Sequence, residues 1–207
     1  MRRRPTLALL TALMSLMLIG AQVAPAAATS TSFGAKLTKT SQPDGGNHRC
    51  DDNSGVPSGS TCTWVATTAF ENGSHFTAPR SGTIKKVKLI TCPAGSFTVQ
   101  VAHKVSNNRF KVVSSGPTIN YKADPFVRDG DPNTDCGGDN FEYVVQSFSV
   151  SFSIAKGDYI AIKTKKTGAL HCSGGGASVI APALSTGQTG TVDSEAGCDL
   201  LVSFVYG

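Results

Sequence analysis

Six cysteines, none of them before Cys50, constrain this chain more than any other feature of its sequence. The residues ahead of them begin as an export leader. Met1-Arg2-Arg3-Arg4 is a positively charged start. Residues 6–20 are apolar but too few to span a bilayer comfortably, and residues 21–28 form a small-residue tail with A-x-A cleavage options. Cleavage is expected after Ala28, with Ala26 as the alternative. A chain exported this way enters an oxidising space, where an even cysteine count reads as a disulfide framework rather than as metal ligands. The expectation is a secreted bacterial protein, free or associated with the cell envelope, with no membrane span once residues 1–28 are removed.

The formal charge of +5 overstates the basic character of what remains. Arg2, Arg3 and Arg4 leave with the leader, so 16 basic residues face 14 acids, a net +2. A general field that would gather nucleic acid is therefore not expected. The remaining chain has the length of one domain and can bury about 70% of its extended surface. Residues 29–49 are mostly Ser, Thr, Gly and Lys, with Phe33 and Leu37 their only large apolar groups. Too little can be buried there to offset ordering, which predicts a flexible N-terminal arm ahead of a domain at 50–207.

That domain shows no helical period, and glycine and proline recur too often for one. Alternation by two is frequent instead. Phe148, Val150, Phe152 and Ile154 alternate with Ser147, Ser149, Ser151 and Ser153, the pattern of a strand with one face in a core and one in water. Ala155-Lys156-Gly157-Asp158 reads as the turn of a hairpin whose partner strand is 159–163. Phe97, Val99, Val101 and Val105 share another face, with His103 in phase with them. Residues 83–91 and 64–70 are two further strands, and 200–206, apolar on both faces, reads as a central one. About eight short strands predict an all-β, antiparallel β-sandwich. Two long connections, 114–140 (with a short strand at 118–122) and 164–197, are expected to be loops where binding resides.

Phe76-Thr77-Ala78-Pro79-Arg80-Ser81-Gly82-Thr83-Ile84, and later Phe152-Ser153-Ile154-Ala155-Lys156-Gly157-Asp158-Tyr159-Ile160, resemble the strand-entry and hairpin motifs of exported bacterial jelly-roll proteins. The resemblance covers about two thirds of the chain after the leader. It implies a sandwich of jelly-roll type and carries no catalytic motif.

Fifteen pairings of six cysteines are possible, and the expected strands select among them. Cys50 and Cys62 bracket a polar loop and are expected to bridge locally. Cys92 ends one strand and Cys198 begins another that should lie antiparallel to it, which predicts Cys92–Cys198. Cys136–Cys172 then staples the two long loops together. Zinc is disfavoured, because no C-x-x-C is present and the four histidines are scattered.

Asp129, Asp131, Asn133, Asp135 and Asp139 place oxygen side chains on one tight loop that resembles an EF-hand in its first positions. Thr134 stands where that loop needs glycine, and Asn140 where it needs the bidentate glutamate. Calcium is thus the one cofactor the sequence leaves open, against the favoured reading of a turn-rich surface loop. Lys85, Lys86 and Lys88, with Lys163, Lys165 and Lys166, could form a cationic stripe for acidic glycans if their strands are neighbours. The alternative is that they merely keep the strands soluble. Trp64, Tyr121, Phe126, Tyr143 and Tyr159 are possible sugar platforms, though core positions suit them better. No nucleophile elbow, free thiol or facing pair of carboxylates is legible. The expected function is a non-catalytic binding or envelope-associated protein, its ligand a cell-surface glycan or a protein partner. A structural or protein–protein role is the alternative, and a secreted hydrolase ranks third.

Overall fold

The structure, a computed structural model, describes residues 32–38, 43, 46–67, 76–124, 143–172 and 176–207. Its strands in chain order are β1 (Ser32–Gly34), β2 (His48–Arg49), β3 (Cys62–Ala66), β4 (Gly82–Leu89) and β5 (Gly95–Ser106). Next come β6 (Arg109–Tyr121), β7 (Gln146–Ile154), β8 (Tyr159–Thr164), β9 (Lys166–Thr167) and β10 (Leu170–His171). The last five are β11 (Ala177–Ile180), β12 (Thr189–Thr191), β13 (Ser194–Glu195), β14 (Asp199–Leu200) and β15 (Val202–Tyr206). One short 3-10 turn, Cys50–Asp52, is the sole helical piece among the described residues, and none of their helices is long and apolar enough to cross a membrane.

Every ladder is antiparallel. Four strands form one sheet in the order β1-β15-β4-β7, and seven form a second in the order β12-β6-β5-β8-β3-β11-β13. Ile84, Leu89, Phe152 and Phe204 from the first sheet meet Trp64, Phe97, Val99, Ile160 and Ile162 from the second in one buried layer. Removing each such side chain from water stabilises the fold by about 1.5–3 kcal/mol, which is why the alternating strands commit one face to it. The expected all-β antiparallel sandwich is what forms. As expected from its two apolar faces, β15 is an interior strand, flanked by β1 and β4.

The hairpin expected at 147–163 does not form. β7 pairs with β4, whereas β8 lies between β5 and β3 in the other sheet. The turn at 155–158 therefore carries the chain across the sandwich. Gly157 has φ +87° there, and the buried Asp158 accepts a 3.0 Å bond from the Ala155 amide through Oδ2. Ala78 clamps the corner with backbone bonds to Asp158 and Gly157 of 2.7 and 2.8 Å. β7 has one wet face, but Ile160, Ala161 and Ile162 of β8 are all buried, so β8 needs cover on both sides and takes a central place.

The loop expected from residue 114 is also replaced. Residues 109–121 run as one strand against β5, and three register shifts absorb the mismatch. Pro117 is tolerated because β12 covers only 109–111, leaving β6 an edge at the proline, where no ladder donor is needed. A Cβ on Gly116 would sit 2.8 Å from Phe152 of the facing sheet, so glycine permits that approach. His103 lies in the exposed end of β5, past the buried stretch that finishes at Ala102, and its imidazole Nδ1 lies 2.9 Å from Asp158 Oδ1. Residues 164–197 hold β9 to β13, including the wholly buried β11, rather than a plain loop.

Residues 32–34, expected within the flexible N-terminal arm, are instead the strand β1. Ser32–Gly34 pairs with Val205–Ser203, Phe33 is 3% exposed, and its carbonyl accepts a 3.1 Å bond from Ser203 Oγ. Composition averaged over the segment hid one aromatic anchor. Gly34 has φ +99°, and a Cβ there would lie 2.6 Å from the Val202 carbonyl, so this close turn into the sheet requires glycine.

Cys50–Cys62 is bridged as expected. Cys198 instead bridges Cys172, with Cα atoms 3.9 Å apart. The expected pairing of the last strand with β4 is present, Val202 facing Leu89, but Asp199–Leu200 peels away to pair with Leu170–His171. That ladder sets Cys198 opposite Cys172 and takes it from Cys92. Cys92 is itself disulfide-bonded, and Cys136 lies outside the described residues.

Candidate ligand-binding face

The outward side of the seven-stranded sheet is divided in two. Over one half, residues 181–193 fold back and bury Val65, Ala102, Phe110, Val112, Ala161 and Ile180 beneath Leu184. A polar strap fixes this cover: Gln100 Nε2 donates to Leu184 O (2.8 Å), Thr63 Oγ1 donates to Gln100 Oε1 (3.0 Å), and Leu184 N donates to Thr63 Oγ1 (2.9 Å). The other half stays open. There the register sets Thr118, Thr98 and Lys163 side by side on β6, β5 and β8, and Asn120 beside Ser96. Thr98 Oγ1 and Thr118 Oγ1 share a 3.0 Å hydrogen bond. Thr164 Oγ1 donates to Lys166 O at 2.6 Å, with Ser96 O a second acceptor within reach at 3.0 Å, at the end of β8. The result is a groove of about 410 Å³ lined by these hydroxyl and amide groups with Lys163, Lys165 and Lys166.

A second groove of about 460 Å³ adjoins it, lined by Asn47, Arg49, Asp51, Gly59, Ser60, Lys165 and Lys166. Lys165 and Lys166 belong to both, so the two grooves form one continuous surface. The β2–β9 ladder, Arg49 opposite Lys166, supplies its floor, and the Cys50 amide donates 2.7 Å to Lys165 O. The wall is the 51–61 loop closed by Cys50–Cys62, tied down through Asp51. Asp51 accepts Arg49 Nε and Nη2, both at 2.9 Å, and the Gly59 amide at 2.7 Å. Hydrogen bonding from Arg49, then from the Gly59 amide, holds the Asp51 carboxyl well below the usual carboxylate range. That acid is thereby spent on Arg49. Among the described residues no carboxylate lies within ion-pair distance of Lys163, Lys165 or Lys166. The surface is cationic as a whole, although residues 29–207 carry a net charge of only +2. Asn47 adds an unmet group, since its Oδ1 is buried without a hydrogen-bond partner among the described residues.

The six lysines of the expected stripe do not share a face. Lys85, Lys86 and Lys88 lie on β4 and Lys163 on β8, in different sheets. The expected calcium residues Asp129, Asp131, Asn133, Asp135 and Asp139 lie outside the described residues, as does Phe126. Trp64, Tyr121 and Tyr143 are buried in the core, and the half-buried Tyr159 stacks on Phe76 with ring centroids 5.6 Å apart. His48 does approach Cys172, Nε2 to Sγ 3.5 Å, but both neighbouring sulfurs are engaged in the disulfide and offer no thiolate to a metal. Sequence reasoning missed Asn47, Arg49 and Ser60, assigned to the arm or to a plain loop, and the hydroxyl rows of β5 and β6. Ser96 and Thr98 alternate with Phe97 and Val99, and that alternation could have announced an outward polar face.

No family model, curated protein or solved structure matches the chain.

Proposed function

We propose that this protein is an exported, non-catalytic binding protein that holds acidic cell-envelope polysaccharide on the surface shared by the two grooves. The observation that carries the reading is the pair Lys165 and Lys166, without an ion-pair partner among the described residues and common to both grooves, beside rows of hydroxyl and amide groups. Ammonium groups attract the carboxylates of an acidic sugar chain, and Ser96, Thr98, Thr118, Asn120 and Asn47 exchange hydrogen bonds with its hydroxyls. An elongated open surface suits a polymer better than a small molecule, which favours an enclosed cavity. The leader sequence, the disulfides and the resemblance to exported jelly-roll proteins support the extracellular setting.

Each exposed ion pair is worth only about 0–1 kcal/mol and is screened beyond about 8 Å at physiological salt. Binding must therefore be multivalent, and salt must weaken it. Calorimetric titration with polygalacturonate, with neutral dextran as control, tests this. Lys165→Glu with Lys166→Glu is expected to weaken binding at least tenfold, about 1.4 kcal/mol. Absence of polygalacturonate binding, or affinity unchanged in the double variant, would overturn the proposal.

A further inference from the structure

The outward side of the four-stranded sheet carries a second arrangement of the same chemistry. Register places Lys88 between Ser147 and Ser203, Lys86 between Ser149 and Val205, and Thr83 beside Ser153. A shift between Ile84 and Lys86 lets Lys85 project as well, and its Nζ donates a 3.5 Å bond to Ser151 Oγ. Ser147, Ser149, Ser151 and Ser153 are all exposed, on alternate positions about 7 Å apart along β7, with the lysines one strand away at about 4.8 Å. No Asp or Glu occurs in β1, β4, β7 or β15.

Solubility alone does not explain this pattern. Lysines that guard against sheet-to-sheet aggregation belong on edge strands, yet these lie on β4, an interior strand flanked by β15 and β7. The edge strand β7 has serines instead. A surface kept soluble by charge also mixes both signs, whereas this one has a single sign and a row of hydroxyls.

The two sheets share one buried layer, so their outward sides face in opposite directions about 10 Å plus two side-chain lengths apart. Resting on the binding reading above, we propose that the Lys85, Lys86 and Lys88 face is a second site for the same acidic polysaccharide. One copy of the protein then bridges two polymer chains. Opposed sites cannot both lie along one short oligomer, which makes stoichiometry and bridging separate readouts.

The test uses the full secreted chain. Calorimetry with a short oligogalacturonate is expected to give two oligomers per monomer, and mixing with long polygalacturonate is expected to give turbidity that falls again at excess polymer. The variant carrying Lys85→Thr, Lys86→Thr and Lys88→Thr should bind one oligomer, with affinity for the remaining site within twofold of wild type, and should give no turbidity. Its urea midpoint, matched to wild type, shows that it folds. Lys165→Thr with Lys166→Thr should remove the other site and leave the serine-rich face occupied. One oligomer per wild-type monomer, lost in the Lys165/Lys166 variant, would overturn the second site while leaving the groove reading intact. Turbidity undiminished in the triple variant would overturn it too, by assigning bridging to self-association. No binding of either polymer would sink both proposals.

Discussion

Phe33→Ala is the sharpest test of how this sandwich is held together, because composition assigns Phe33 to a flexible arm and the structure places it in the core. Its ring is 3% exposed, meets Phe204 edge-on with centroids 5.7 Å apart, and lies 5.6 Å from the Tyr206 ring. Truncating a buried phenylalanine costs about 3–5 kcal/mol, and aromatic pairs contribute about 0.5–1.5 kcal/mol beyond their buried area. β1 is a short edge strand that can settle partly into the space left behind, so the lower end, about 3 kcal/mol, is expected. For a domain of this size each kcal/mol moves the thermal midpoint by about 2–4 °C, which makes the shift about 6–12 °C downward. Trp64 is the chain's one tryptophan and is buried between the sheets, so its fluorescence reports urea unfolding of the core directly. The m-value should be unchanged, since the same surface is exposed. A loss below about 1 kcal/mol would refute the reasoning and restore residues 29–49 as an arm that contributes nothing to the fold.

Two further outcomes follow from the geometry. Non-reducing peptide mapping should recover Cys50–Cys62 and Cys172–Cys198 and no free thiol, and a Cys92–Cys198 peptide would contradict the β10–β14 ladder. Burial raises the phenol pKa values of Tyr121 and Tyr206, outweighing the hydrogen bonds each phenol makes. Stability from a phenol kept neutral is fully present below about pH 10 and is lost as pH rises through the raised folded value. Alkaline unfolding followed by Trp64 fluorescence should therefore coincide with a late rise in tyrosinate absorbance, and a full tyrosinate signal in a still-folded protein would count against that burial.

The sequence was most readable where one strand faces one core. The serine alternation of β7 and the two apolar faces of β15 specify how much cover each strand needs, and both strands sit where those patterns require. Partner choice was not readable, because alternation by two says which face is buried and nothing about which neighbour buries it. Residues 155–158 have the chemistry of a hairpin turn, yet Asp158 and Ala78 use them to change sheets. The disulfide pairing failed for the same reason at finer scale: four residues at 199–202 are divided between two partner strands, and no local signal marks the division. The lysines of the candidate surface were visible as types, but their assignment to opposite sides depends on sheet membership. Asn47 and Arg49 reach the groove only through the two-residue β2–β9 ladder, which is too short to leave a period in the sequence.

The pairing of β1 with β15 also governs when this fold can exist. Ser203 donates to the Phe33 carbonyl across 170 positions of chain, and among the described strands β1 pairs with β15 alone. A topology built on such distant partners has high contact order, and chains of this kind fold in milliseconds to seconds or more slowly, because loop closure comes before the contacts that reward it. Among the described strands, the first to be synthesised therefore waits for the last. Until β15 arrives, β4 lacks that neighbour and Phe33 lacks the Phe204 and Tyr206 rings it packs against. Pairing between strands this far apart in the chain keeps the four-stranded sheet from closing before β15 has been made.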